Sequence, residues 1–134
     1  DIFENKFHNR VQFVNRIDNK ELPAYLAKAN VCVYPSHLET QGIVIIEAMA
    51  CEKPVIVTNT GPGPEIVEHN VSGIICDPFN IEQLAGNIIT IIQNNDMALS
   101  LGRAAREKVI KEFSMDELLV KNINWYESVI KGNN

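Results

Sequence analysis

What this chain lacks narrows what it can be. No apolar run approaches the about 20 residues that a bilayer-crossing helix requires. The opening residues, DIFENKFHNR, do not follow the basic-then-apolar layout of a secretory signal. Like charges never gather into long runs, and the formal net charge is −5, so the basic footprint of a nucleic-acid partner is missing. Cysteine is scarce: Cys32, Cys51 and Cys76 lie inside apolar segments and show no metal-ligand spacing. They read as buried thiols in a reducing cytosol, and no metal site or cofactor is expected. In that compartment the sequon at Asn70 carries no glycan. No internal repeat or low-complexity stretch interrupts the chain.

What remains is an ordinary globular composition, 46% hydrophobic and 22% charged over 134 residues. That length suits one domain burying roughly two thirds of its unfolded surface. VQFV (Val11–Val14) reads as a short strand, and Asn19–Ala29 as a helix, with Leu22, Tyr25, Leu26 and Ala29 at helical spacing. VCVYP (Val31–Pro35) and PVIVT (Pro54–Thr58) are all-apolar strands, and GIICD (Gly73–Asp77) is a fourth. A short helix is expected around Glu65–Glu68. From Asn80 onward the pattern is helical. Capping boxes at Asn80–Gln83 and Ser114–Glu117 start two helices, and Asp96 is expected to cap one between them.

Strands alternating with helices, and lacking polar alternation, describe a parallel sheet covered on both faces. The fold class is α/β, Rossmann-like. Residues 1–113 form the domain and 114–134 a terminal amphipathic helix carrying Leu118, Ile123, Trp125, Tyr126 and Val129. That helix either packs on its own domain or leaves an apolar patch open. The chain opens in mid-helix, DIFENKF, where a doubly wound domain would open on a strand, and four strands make a small sheet. Both features read as the tail of a larger protein.

The stretch ETQGIVIIEAMACEKPVI (Glu39–Ile56) poses a chemical question. Its helix is apolar on every face, which describes a buried helix, yet it carries Glu47. An unpaired buried carboxylate is costly, so Glu47 needs either a protein partner, such as Lys53 or Arg103, or a ligand. Ligands of open α/β sheets sit beyond the carboxyl ends of the strands, and the loop Ser36–Gly42 lies there. Gly42 lets the backbone approach a ligand, and the first-turn N–H groups make an anion site. Side chains lean toward the helix N-terminus, and Glu47 stands about 7.5 Å along the axis. It therefore reaches the same cleft from the side, while Glu39 reaches it from the mouth. Two carboxylates flanking an anion site suit a nucleoside diphosphate sugar, with its ribose diol, pyrophosphate and sugar hydroxyls. On spacing alone, an acidic residue such as Glu39 ahead of a helix is more often an ordinary cap.

The joint string from Val31 to Pro78 closely resembles the C-terminal half of retaining glycosyltransferases of the family 4 type, which have two Rossmann-like domains facing a cleft (GT-B). The matching residues are Pro35, Ser36, Glu39, Gly42, Glu47–Ala50, Pro54–Ile56, Pro64–Val67 and Gly73. The resemblance implies that Glu39 touches donor-sugar hydroxyls at the reacting face and is the catalytic candidate. It implies that Glu47 accepts from the ribose diol. Backbone around Thr40, Gln41, Gly42 and Ile43 would hold the diphosphate or sugar, and Arg16 would border the nucleobase. Glu65 would be a structural cap. GPGPE is no dinucleotide fingerprint, because Ile66 stands where the third glycine would be. Two departures are visible: Gln41 replaces a usual aromatic, and Glu52 a common glycine. The family's upstream Arg and Lys, and its acceptor-binding domain, would precede residue 1.

The resemblance thus implies the donor-binding part of a glycosyltransferase that moves a sugar from a nucleoside diphosphate sugar to a glycan or lipid-linked acceptor. By itself this piece is expected to be inactive. The setting would be cytoplasmic, peripheral to the inner membrane face, in polysaccharide or glycolipid assembly, with the N-terminal domain as partner. A nucleotide-sugar epimerase on the same architecture, or a non-catalytic binding module, are the rival readings.

Overall fold

A computed structural model of the chain describes residues 10–132. The helix expected over residues 1–7 lies outside them. The elements are α1 (Leu22–Ala27), β1 (Cys32–Tyr34), α2 (Ile43–Ala50), β2 (Val55–Thr58), α3 (Gly63–Ile66), β3 (Ile74–Cys76), α4 (Ile81–Gln93), α5 (Asn95–Phe113) and α6 (Met115–Gly132).

The three strands are parallel in the order β1-β2-β3, with Cys32 opposite Val55 and Ile56 opposite Ile74. Successive side chains of a strand face opposite ways, and β2 uses both directions for the core. Val55 and Val57 join Ile45, Ala48 and Met49 of α2 and Ala105 and Val109 of α5. Ile56 joins Ile74 and Cys76 of β3, Ile91 of α4 and Leu101 of α5. Helix α5 thus feeds both clusters, and all four residues of β2 are buried. This is the Rossmann-like arrangement, a parallel sheet with helices on both faces.

Four local expectations are corrected. Val11–Val14 forms no strand, so the described sheet has three strands; Phe13 is 84% exposed. An apolar tetrapeptide has strand propensity, but a strand exists only where a neighbouring ladder takes its N–H and C=O groups. The short helix begins two residues earlier than expected, at Gly63. Pro64 fits its first turn, and His69 is already paired with Gly73 in an isolated bridge. Helix α5 is capped by Asn94, whose Oδ1 accepts from Met97 N at 3.0 Å, and Asp96 falls in its first turn. The capping box at Asn80 is half made: Asn80 Oδ1 accepts from Gln83 N at 2.9 Å, but Gln83 Oε1 accepts from Asp77 N instead of returning to Asn80. At the second box Ser114 Oγ lies 3.4 Å from Glu117 N.

The far end of α2 is clamped. Arg106 of α5 donates to the Ala50 carbonyl, and a side chain at Gly102 would collide with the Glu52 carbonyl. Glu52 has φ +59°, the left-handed conformation that its usual glycine would adopt without cost. Lys53 Nζ donates to Ala27 O at 2.6 Å and so closes the end of α1. Cys32 and Cys76 are buried and Cys51 partly so, all as free thiols. Burial above all pushes the Cys32 and Cys76 thiols upward, which keeps both in the unreactive protonated form. Helix α6 lies against α5 and buries no residue of its own, leaving Trp125 and Ile130 59% and 73% exposed. Among the described residues no helix is long and apolar enough to cross a membrane, and no group of three acidic, His or Cys side chains could hold a metal.

Candidate functional site

The loop between β1 and α2 emerges at the carboxyl edge of the sheet. Gly42 occupies the N-cap of α2 with φ +67°, and a Cβ there would sit 2.5 Å from Ile66 Cδ1. Glycine is therefore required twice over, by backbone conformation and by space. Gly42 has no side chain to cap the helix. Glu39 instead ties down the turn that leads into the helix: its Oε1 accepts from the backbone N–H groups of Thr40 (2.9 Å), Gln41 (3.3 Å) and Gly42 (3.2 Å). The Gly42 amide first, then those of Thr40 and Gln41, hold the Glu39 carboxyl below its ordinary range, against a small opposing effect of desolvation. Three of the backbone N–H groups read from the sequence as a ligand seat, those of Thr40, Gln41 and Gly42, are taken by Glu39 itself. The next N–H groups, of Ile43 and Val44, meet no acceptor among the described residues. Open N–H groups in a first turn are what helix geometry leaves.

The loop after β2 supports this arrangement from below. Thr58 Oγ1 and Thr60 Oγ1 lie 2.7 and 3.2 Å from the Ser36 carbonyl, placed to donate to it. Gly61, at φ +65°, packs so closely that a Cβ would stand 2.7 Å from the Glu39 carbonyl. Above, His37 and Phe79 stack at 4.8 Å between ring centroids, which joins the loops after β1 and β3. The cavity lined by Tyr34, Ser36, Glu39, Ile45, Thr58 and Gly63 is about 10 Å³, room for at most one water.

Helix α2 is less buried than its composition suggests. Ile45, Ala48 and Met49 face the core, but Ile43 and Val44 are 55% and 46% exposed at the open end beside the cleft. Glu47 is half-buried on this helix and takes neither protein partner weighed for it. Lys53 is committed to Ala27, and Arg103 lies 3.9 Å from Glu52. Among the described residues the Glu47 side chain has no hydrogen bond or ion pair. Partial exposure lets water solvate it, which is how it persists as an unpaired carboxylate.

Tyr34 was not among the residues singled out from the sequence. It lines the small cavity with Glu39. Burial above all, then the neighbouring Cys32 and, further down, the charge of Glu47 push its hydroxyl well upward, so it stays a neutral donor and acceptor. The available signal was its position as the last residue of an apolar strand, where the sheet opens. Arg16 is exposed and borders a separate depression of about 460 Å³ with Ile17, Asp18 and Asn19, to which none of Glu39–Glu47 contributes. A comparable depression of about 400 Å³ follows the outside of α5 at Asp96, Leu99, Ser100 and Arg103, away from the carboxyl edge. Glu65 lies in the first turn of α3, and no side-chain cap forms there.

A parallel sheet with helices on both faces, and a glycine-capped helix opening beyond the carboxyl end of its first strand, is a Rossmann-like domain. Residues 4–108 match the family described as Glycosyl transferases group 1, and the chain belongs to that family. It is 33% identical over 120 residues to a GDP-mannose-dependent alpha-(1-6)-phosphatidylinositol monomannoside mannosyltransferase of Mycobacterium tuberculosis, covering 84% of this chain and 31% of that protein. Its structure is similar to sucrose-phosphate synthase from Thermosynechococcus elongatus, at TM-score 0.88 and 34% identity, over 98% of this chain and 33% of that one. It is also similar to Anabaena Alr3699/HepE, solved in complex with UDP, at TM-score 0.81 and 29% identity, over 97% of this chain and 35% of that one. The chain thus spans about a third of the length of these proteins.

Proposed function

We propose that this chain is the donor-binding part of a retaining glycosyltransferase, which moves a sugar from a nucleoside diphosphate sugar to a glycan or lipid-linked acceptor. One observation carries the reading: the Glu39 carboxylate sits on the backbone amides that lead into the Gly42 N-cap of α2, beyond the end of β1. The binding of UDP by the Anabaena relative supports it. In this reading the ribose diol donates to Glu47, and the donor sugar's hydroxyls donate to Glu39. The backbone amides of Gln41, Gly42 and Ile43 face the diphosphate. Charge that develops on the departing diphosphate is met by fixed N–H dipoles, which need no reorganisation as the bond breaks. Arg16 borders the nucleobase. Acceptor binding and the remaining neutralisation of the diphosphate fall to an N-terminal domain, without a required metal, at the cytoplasmic face of a membrane.

A backbone-amide NMR titration of the 134-residue chain with UDP, GDP and ADP tests this. Shifts centred on residues 41–47 with one nucleotide, lost in Glu47→Ala, are expected. Shifts elsewhere, or an unchanged response in Glu47→Ala, would overturn the assignment.

A further inference from the structure

The diphosphate seat proposed above is already in use by a group of the same charge sign, and this inference rests on that donor-site reading. We propose that Glu39 is a built-in occupant of the seat, which swings off the Thr40–Gly42 amides when a nucleoside diphosphate sugar arrives and returns to help expel the nucleoside diphosphate.

Three features support a swing of the side chain alone. A single oxygen, Oε1, accepts all three amide bonds, and among the described residues no Lys or Arg pairs with the carboxylate. Nothing else therefore has to be broken for it to leave. The backbone beneath it is braced by Thr58, Thr60 and Gly61, so the amides keep their directions when the carboxylate departs. The adjoining cavity, at about 10 Å³, is too small for any part of a sugar nucleotide, so a ligand and the Glu39 carboxylate would compete for the same amides.

The exchange trades one anionic acceptor for another on the same N–H groups, so the hydrogen bonds nearly cancel. What remains is repulsion between the carboxylate and the diphosphate, offset only when sugar hydroxyls are present to receive the displaced Glu39. The latch thereby favours sugar nucleotide over bare nucleoside diphosphate. Once the sugar has been transferred, the hydroxyls that held Glu39 leave with it, and the carboxylate competes for the amides again.

Isothermal titration of wild-type, Glu39→Ala and Glu39→Gln chains with inorganic pyrophosphate, UDP, GDP, UDP-glucose and GDP-mannose tests the latch. Glu39→Ala should bind pyrophosphate and the preferred diphosphate roughly three- to tenfold more tightly than wild type, the span that one charge at a helix N-terminus supports. Glu39→Gln should fall between, because its amide oxygen can keep the amide bonds without the charge. Preference for the sugar nucleotide over its diphosphate should shrink in both. Wild-type binding of a diphosphate that is equal to or tighter than that of Glu39→Ala overturns the latch while leaving the donor site standing. No binding of any nucleotide by any of the three chains overturns both. Retention of the folded amide spectrum in Glu39→Gln separates these outcomes from misfolding.

Discussion

Replacing Gly42 by alanine tests the geometry at the head of α2 most directly, because two separate penalties meet there. At φ +67° a Cβ costs about 1 kcal/mol through its contact with the backbone. The same Cβ would approach Ile66 Cδ1 to 2.5 Å, with Pro62 Cγ at 3.2 Å and Ile45 Cδ1 at 3.3 Å. Ile66 is only 3% exposed, so its methyl cannot simply turn into solvent, and overpacking adds about 1–3 kcal/mol. Gly42→Ala is therefore expected to cost about 2–4 kcal/mol in urea unfolding, seen as a lower midpoint at unchanged slope. Ile66→Val removes Cδ1 and alone costs about 0.5–1.5 kcal/mol. In the double variant the added methyl enters the space that Cδ1 left. The two costs should then sum to less than additively, by about 1–2 kcal/mol, while the backbone part persists. Additivity within about 0.3 kcal/mol would refute the packing argument. A Gly42→Ala chain as stable as wild type would refute the left-handed cap itself.

Two further outcomes follow from the same structure. Glu52→Gly should raise stability by about 1 kcal/mol, because the left-handed strain at φ +59° disappears and the exposed contact with Arg103 at 3.9 Å contributes little. Thermal unfolding of Glu52→Gly beside Glu52→Ala, which keeps the strain, checks it, and equal midpoints for the two would refute it. Glu39 has a folded-state pKa below its unfolded value, so its contribution to stability is full above the unfolded carboxylate range and is lost as pH falls through the folded pKa. Glu39→Gln should accordingly be less stable than wild type at neutral pH and converge with it below the ordinary carboxylate range. A gap between the two chains that stays constant from pH 7 down to about pH 3 would refute the amide bonds as its source.

The fold was largely legible because β2 and its neighbours carry unbroken apolar runs, and only a sheet covered on both faces needs them. The strand expected at Val11–Val14 failed because four apolar residues cannot announce whether a partner ladder exists. Asn94 took the cap from Asp96 because both are good N-caps, and only the helix register chooses between them. The sequence marked Glu52 only as standing where a glycine is common, and the left-handed φ there came from the structure. At the candidate site, Glu39, Gly42 and Glu47 were singled out mainly by resemblance. That Glu39 turns back onto its own following amides was not legible, since the sequence gives the carboxylate and the amides but no rotamer. Tyr34 escaped notice because an aromatic ending an apolar strand looks like core. The openness of Ile43 and Val44 was hidden for the same reason: composition cannot tell a helix buried along its length from one whose first turn stands clear.

The shared Ser36 carbonyl has a dynamic consequence. Because Thr58 and Thr60 both converge on it while Gly61 lies against the Glu39 carbonyl, opening either loop gives up contacts that it shares with the other. Their amides are therefore expected to exchange with hydrogen as a coupled unit, which hydrogen exchange measured on the two loops checks. Whatever steadies one of these loops is then expected to slow hydrogen exchange in both.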